Sequence, residues 1–389
     1  MSRVARRPGP VSGIYIHIPY CMSKCAYCSF NSYETACGVP GDYIEALLRD
    51  MARESPRWEG VEFGSVYLGG GTPSLLAPAD LGRVLSAVGR GFRLSHGAEV
   101  TLEANPSSLS GGKMDGYREA GVNRLSVGVQ SLAAEELALL GRVHSPQEAL
   151  DSLEAAAAAG YESLSCDVIV GVPGQTPASL EATVSGLAPL ASHVSGYLLS
   201  VDAGTRLRWL VQNGTVREQS DGDAVALLET MRAGMERHGF ARYEISNWAR
   251  PGLECRHNLM YWSRGDYVGV GAGACSHRRG ERCRRLSHPE AYTREVLSGG
   301  DPVDFRETVT PAEAVLEEVM LRLRTIRGLD LARLAADHHC ALEGTAPLLH
   351  HLSAEGLVVR NGKEIQLSPR GMLVSDAVIR DLTAALVPC

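Results

Sequence analysis

The sequence predicts an α/β fold with a largely parallel sheet, followed by a smaller α+β module. Three observations carry this. Six apolar runs of strand length are each followed by a stretch of helical length. Polar and glycine-rich residues gather where those strands end. Past about residue 301 the rhythm changes to three helices and a hairpin signal. Repeated strand–helix units imply parallel neighbours joined by right-handed crossovers. The pattern alone leaves an open doubly wound sheet and a barrel equally available.

Residues 14–18 alternate as strand one and run into a loop with three cysteines. A helix is predicted over 42–53. Strand two, 65–68, runs into Gly69-Gly70-Gly71-Thr72-Pro73-Ser74, and a helix follows over 78–88, with proline suited to its first turn. Strand three covers 99–103 and ends at Asn105-Pro106; its helix is 112–120. Strand four, 124–129, is followed by helices over 133–140 and 146–159. Strand five, 163–170, closes at Gly171-Val172-Pro173-Gly174 before a helix over 178–190, and strand six is 196–200. Residues 202–300 are less regular, with a helix over 221–237. The C-terminal part shows helices over 311–324, 329–337 and 346–355, then strands 357–360 and 364–367 around Asn361-Gly362.

The 389 residues suffice for one large domain and a smaller one. A composition of 44% hydrophobic and 21% charged residues is that of an ordinary soluble protein. The net charge of −7 argues against broad nucleic-acid binding. Arg3, Arg6 and Arg7 precede no apolar segment, so no signal peptide is expected, and no run is long enough to cross a membrane. The ten cysteines show no paired spacing beyond the first three, which fits free thiols in a reducing cytoplasm.

The chemistry concentrates in Cys21-Met22-Ser23-Lys24-Cys25-Ala26-Tyr27-Cys28. Three thiolates on one loop can hold three irons of a [4Fe-4S] cluster and leave the fourth open to another ligand. The alternative is a zinc knot, which would need a fourth ligand that does not follow promptly. Gly69-Gly70-Gly71-Thr72-Pro73 lets backbone N–H groups approach a ligand; by itself it is a tight turn. Glu103 ends strand three, where an acid can take a cationic amino group or a ribose hydroxyl, or can simply be solvated. Gln130 ends strand four with an amide that donates and accepts. Arg142 can grip a carboxylate with two prongs. Asp167 places a charge in an apolar strand, which is costly unless it is paired or serves a site.

The Cys-x3-Cys-x-Tyr-Cys loop resembles the signature of the radical S-adenosylmethionine (SAM) superfamily. Taken with the glycine segment, Gly121-Val122-Asn123-Arg124-Leu125-Ser126-Val127-Gly128-Val129-Gln130-Ser131, and Cys166-Asp167-Val168-Ile169-Val170-Gly171-Val172-Pro173-Gly174-Gln175, it resembles the oxygen-independent coproporphyrinogen III oxidase-like family over nearly the whole chain. The resemblance implies a partial (β/α)6 radical SAM barrel over 12–210, an extension with a heme-contact loop over 211–300, and a winged-helix-like α+β domain over 301–389. It implies that Cys21, Cys25 and Cys28 ligate the cluster. Tyr15, Tyr27, Gly70, Gly71, Thr72, Glu103, Gln130, Arg142 and Asp167 would surround SAM, with His17 close by. The string from Gly269 to Cys275 would close near the adenosine.

Two features choose between branches of the family. The decarboxylating enzymes carry a further cysteine two positions after the third ligand, where this chain has Phe30. His257-Asn258-Leu259-Met260-Tyr261-Trp262 resembles the His-Asn-x-x-Tyr-Trp motif of the HemW branch, the heme chaperones, although a His–Trp packing cluster on a loop would read the same way. His can ligate heme iron, and Cys255 offers a second, covalent option. The implied function is a heme chaperone that passes heme to acceptor proteins, such as membrane respiratory enzymes, from the cytoplasm or the membrane periphery. The alternative is an enzyme, the oxygen-independent coproporphyrinogen III dehydrogenase, which converts propionates to vinyls. A third reading is a radical SAM enzyme acting on another substrate.

Overall fold

The structure is a computed structural model that describes residues 12–342 and 344–386. The N-terminal arginines Arg3, Arg6 and Arg7, and Cys389, lie outside the described residues. Six parallel strands form the centre in sequence order: β1 (Ser12–Ile18), β2 (Glu62–Gly70), β3 (Arg93–Ala104), β4 (Arg124–Gln130), β5 (Ser163–Val170) and β6 (His193–Leu198). Each connection carries one or more helices, among them α1 (Gly41–Glu54) after β1.

The alternation in β1 shows how sequence becomes layer. Ile14, Ile16 and Ile18 are fully buried in the main hydrophobic core, whereas Tyr15 turns to the other face and lines a cavity. Burying each isoleucine contributes about 1.5–3 kcal/mol. Inward-facing side chains of all six strands meet around that same cavity, so the sheet curls into a partial barrel. β1 and β6 are not paired with each other among the described residues.

Residues 202–300 hold more structure than expected. β7 (Ala241–Arg242) and β8 (Asn247–Ala249) extend the sheet antiparallel beyond β6. On the other edge β9 (Tyr267–Val270) runs parallel to β1, and β10 (Cys275–Arg278), β11 (Glu281–Arg285) and β12 (Val303–Thr308) follow antiparallel. These strands are short, or as charged as Glu281-Arg282-Cys283-Arg284-Arg285, so apolar alternation is too weak to mark them. Strand six also starts at His193 rather than at 196. Its histidine resembles a loop residue, but Nδ1 bonds the Ser165 hydroxyl at 2.7 Å and Nε2 the Tyr243 hydroxyl at 2.8 Å, so its burial is compensated.

The C-terminal part has its own core, built on Val319, Leu323, Leu334, Leu352, Ile365 and Leu382. Leu329–Asp330, expected as the start of a helix, instead pairs with Glu364–Leu367, making a three-stranded sheet with Val358–Asn361. Two further helices, Pro369–Leu373 and Ser375–Ala385, complete it. It is tied to the barrel by Glu317, which accepts from Arg264 Nε at 2.7 Å and also from Arg282, and by a bridge between Glu244 and Thr325.

Candidate functional site

The cysteine loop leaves β1 and is held from three sides. Ala26 N–H donates to Leu140 O at 2.9 Å, and Leu207 N–H donates to Ala26 O at 2.7 Å. Asn31 Nδ2 donates to the carbonyls of Ala272, after β9, and of Ser287, which follows Glu281–Arg285, joining the loop to both turns. His17, in β1, receives the Tyr15 hydroxyl on Nδ1 at 2.8 Å and meets Asn31 O with Nε2 at 2.9 Å. Burial lowers its pKa, which keeps the ring neutral. His17 therefore acts as a clamp between strand and loop.

Two of the three thiols already have donors. Thr72 Oγ1 donates to Cys21 Sγ at 3.4 Å, and Arg142 Nη1 donates to Cys25 Sγ at 3.3 Å; Cys28 Sγ lies 3.7 Å from Ser32 Oγ. Among the described residues no three His, Cys, Asp or Glu side chains converge as the ligands of a single ion would. A cube-shaped cluster takes each thiolate on a different iron, so its ligands stand further apart than those of one ion. Donors aimed at sulfur suit such a group, since hydrogen bonds to the sulfurs tune it.

All thirteen residues singled out as cluster, SAM or heme contacts line one cavity of about 540 Å³. Its upper wall is the glycine segment. Gly70 has φ +120°, and a Cβ there would meet the His17 ring at 2.6 Å; a Cβ on Gly71 would meet the Tyr20 backbone at 2.6 Å. Only glycine allows this approach. Gly70 N–H donates to Glu103 Oε2 at 3.0 Å and the Tyr67 hydroxyl to Oε1 at 2.8 Å. Burial pushes Glu103 up to about 7, Asp167 adds to the shift, and the two donors oppose it. Asp167 is likewise raised by burial and receives the Ser126 hydroxyl at 3.4 Å.

Gln130 has φ +71°, in the left-handed region that costs a non-glycine residue free energy, at a register shift between β4 and β5. The bulge ends the ladder and turns the side chain toward the cavity. Arg142 donates through Nη2 to Asn105 Oδ1 at 2.6 Å and to Gly128 O at 2.7 Å, while its buried Nε has no partner. An orphaned guanidinium nitrogen beside the cysteine loop fits a carboxylate ligand.

His257 lies on a helix, α2 (Arg256–Trp262), not on a loop. α2 packs against the starts of β1 and β2, at the end of the barrel away from the cysteines: a Cβ on Gly13 would meet the His257 ring at 2.9 Å. Both imidazole nitrogens are engaged, Nδ1 with Ser65 Oγ at 2.8 Å and Nε2 with the Tyr261 hydroxyl at 3.1 Å. The ring stacks on Tyr67 at 5.1 Å, and burial lowers its pKa to about 3. Cys255 donates to Glu99 Oε1 at 3.4 Å, and burial pushes its thiol up to about 12, so it stays protonated. Cys275 is exposed and does not line the cavity. Phe30, 68% exposed, stands at the cavity mouth.

Sequence reading missed Tyr67, Arg124, Ser126, Ser165, His193 and Asn247 as lining residues. The signal was present as period two: Arg124, Ser126, Gly128 and Gln130 share one face of β4. Because every residue of β4 is buried, the strand reads as uniform core and hides the alternation.

Residues 15–186 match the radical SAM superfamily and residues 309–374 the HemN C-terminal domain. The heme chaperone HemW of Mycobacterium tuberculosis is 38% identical over 384 residues, covering 97% of this chain and 96% of its own. The heme chaperone HemW of Bacillus subtilis is 34% identical, covering 94% of this chain and 97% of its own. The chain belongs to the HemW heme chaperone family. A mitochondrial radical S-adenosyl methionine domain-containing protein 1 of Bos taurus is 35% identical, covering 97% of this chain and 89% of its own. The coproporphyrinogen III oxidase HemN of Escherichia coli shares the fold, with a TM-score of 0.81 at 24% identity over 98% of this chain and 91% of that one. Among the described residues no helix is long and apolar enough to cross a membrane.

Proposed function

We propose that this chain is a heme chaperone: it binds heme and passes it to acceptor proteins, working from the cytoplasm or the membrane periphery. It would hold a [4Fe-4S] cluster through Cys21, Cys25 and Cys28, and SAM in the cavity beside them. The observation that carries the reading is similarity to curated heme chaperones along nearly the full length of both chains. Phe30 supports it, because no thiol stands at the position where decarboxylating relatives carry one. Cluster and SAM together supply one-electron chemistry when bound.

The chain's own residues would divide the work as follows. Gly70 and Gly71 admit SAM to the backbone, Arg142 meets its carboxylate, and Glu103 and Asp167 offer acidic partners to its cationic and hydroxyl groups. Tyr15, Tyr27, Thr72 and Gln130 complete the walls. His257, kept neutral by burial, is in the protonation state that ligates iron; contact with heme requires the Tyr261 hydroxyl to leave Nε2.

Two results test this. Anaerobic heme titration should show His257→Ala weakened by about tenfold or more with its four-iron absorbance intact, a loss of about 1.4 kcal/mol. An unchanged titration would remove His257 from the heme site. SAM affinity should rise between pH 6 and pH 8. Glu103 is raised above its ordinary value, so it is neutral below about 7 and becomes a carboxylate above it. A cationic ligand favours the charged form, by at most about tenfold per pH unit on the acid side. Glu103→Gln should flatten the profile; a slope that persists in the variant would assign the titration elsewhere.

A further inference from the structure

The inner end of the cavity holds groups that the cluster and SAM do not use. Arg124 is 2% exposed, begins β4 and lines the cavity, and its Nε and Nη1 have no hydrogen-bond partner. Thr101, its partner across the β3–β4 ladder, leaves Oγ1 unpartnered, and Asn247 Oδ1 is unpartnered as well. About 20 Å of strand separates Arg124 from Gln130 at the other end of β4. The site lies deeper than the place assigned to SAM and adjoins it at Asp167, whose carboxylate the Arg124 charge stabilises.

The nearest anion is Glu99, with Oε2 3.8 Å from Arg124 Nε. Its carboxylate is already committed to the start of α2: Arg256 N–H and His257 N–H donate to it at 3.0 Å each, and Cys255 Sγ donates at 3.4 Å. The pair therefore balances charge without satisfying the guanidinium. Asp167 faces the same cavity one layer nearer the cysteines, and Ser126 and Ser165 put hydroxyls between them. A buried guanidinium with free nitrogens, ringed by hydroxyls, is built for a planar two-oxygen acceptor.

We propose that the inner end of the cavity is a carboxylate-binding subsite with Arg124 as its cation. The carboxylate is either that of a small free organic acid or a propionate arm of a tetrapyrrole. A ring resting at the cavity mouth cannot reach Arg124, so the second source places the ring inside the barrel. Only this second source rests on the proposed heme role; the subsite itself rests on the geometry of Arg124.

The test uses the full chain with its cluster reconstituted. Heme, heme dimethyl ester and succinate are titrated into the wild type and Arg124→Gln. A propionate occupant predicts that the ester binds the wild type at least tenfold more weakly than heme, and that Arg124→Gln treats the two alike. A free-acid occupant predicts that succinate binds the wild type and not Arg124→Gln, with heme and ester indistinguishable. Because Arg124 is buried beside Glu99, Arg124→Lys, which keeps the charge and loses the fork, is measured in parallel, and wild-type crystals soaked in succinate show the guanidinium directly. Equal binding of heme and ester, no succinate binding, and no density but water at Arg124 would overturn the proposal. Succinate binding without any heme binding would keep the subsite and overturn the chaperone reading.

Discussion

Cys25→Ala should lose the four-iron absorbance and most of its bound iron after anaerobic reconstitution, while the far-ultraviolet dichroism of the fold is retained. The loop that carries Cys25 is fixed by the backbone bonds of Ala26 to Leu140 and Leu207, neither of which involves the thiol. The substitution therefore removes a ligand without releasing the loop. It also leaves Arg142 Nη1 without its sulfur acceptor, which adds an unsatisfied donor at the site. Cys37, exposed and outside the cavity lining, is the matched control, and its alanine variant should keep the full cluster. A Cys25→Ala protein with unchanged iron, sulfide and spectrum would refute the ligand assignment.

Asp50→Ala should cost about 3 kcal/mol of stability in chemical denaturation. Asp50 on α1 and Arg285 on β11 are both fully buried, with Nε 2.5 Å from Oδ2, and the Tyr292 hydroxyl donates to the same oxygen at 2.8 Å. Truncation strands a buried guanidinium and a phenol. Glu54, 3.4 Å from Arg285 Nη2, keeps part of the compensation and holds the loss near the lower end of the range for broken buried pairs. The pair fastens the outer strands to α1. Exposed Arg93 and Glu62 offer the contrast: with side chains 70% and 50% exposed, Arg93→Ala should change stability by less than about 1 kcal/mol. Equal effects from the two variants would contradict the assignment of Asp50 to a buried anchor.

Much of the site was legible because its chemistry forces rare spacings. Three cysteines within eight residues, three glycines at a strand end and an acid inside an apolar strand each need a reason, and one cavity supplies it. The six central strands were legible because Ile14, Ile16 and Ile18 alternate with polar positions, or because runs such as 163–170 alternate Leu164, Cys166 and Val168 with Ser163, Ser165 and Asp167 before ending apolar. What stayed hidden depends on partners far away in sequence. His193 can begin a strand only because Ser165 and Tyr243 satisfy its ring. Arg124 can be buried because Glu99 stands near it, and the sequence does not show that two of its nitrogens lack partners. The motif at His257 was found, but its helix was not: α2 is seven residues long, and its N-terminus is held by Glu99, 158 residues away. Charged outer strands such as Glu281–Arg285 carry no periodic signal at all.

An anaerobic assay on one reconstituted sample tests the central claim most directly. The cluster-loaded protein is given reductant, SAM and coproporphyrinogen III, and the tetrapyrrole is analysed for lost carboxyl groups; the same protein, loaded with heme, is then mixed with an apo heme protein. The chaperone account predicts no decarboxylated product over many equivalents of SAM, together with heme appearing in the acceptor. Accumulation of the divinyl product over many turnovers, with no heme transfer, would contradict it and make the chain a dehydrogenase.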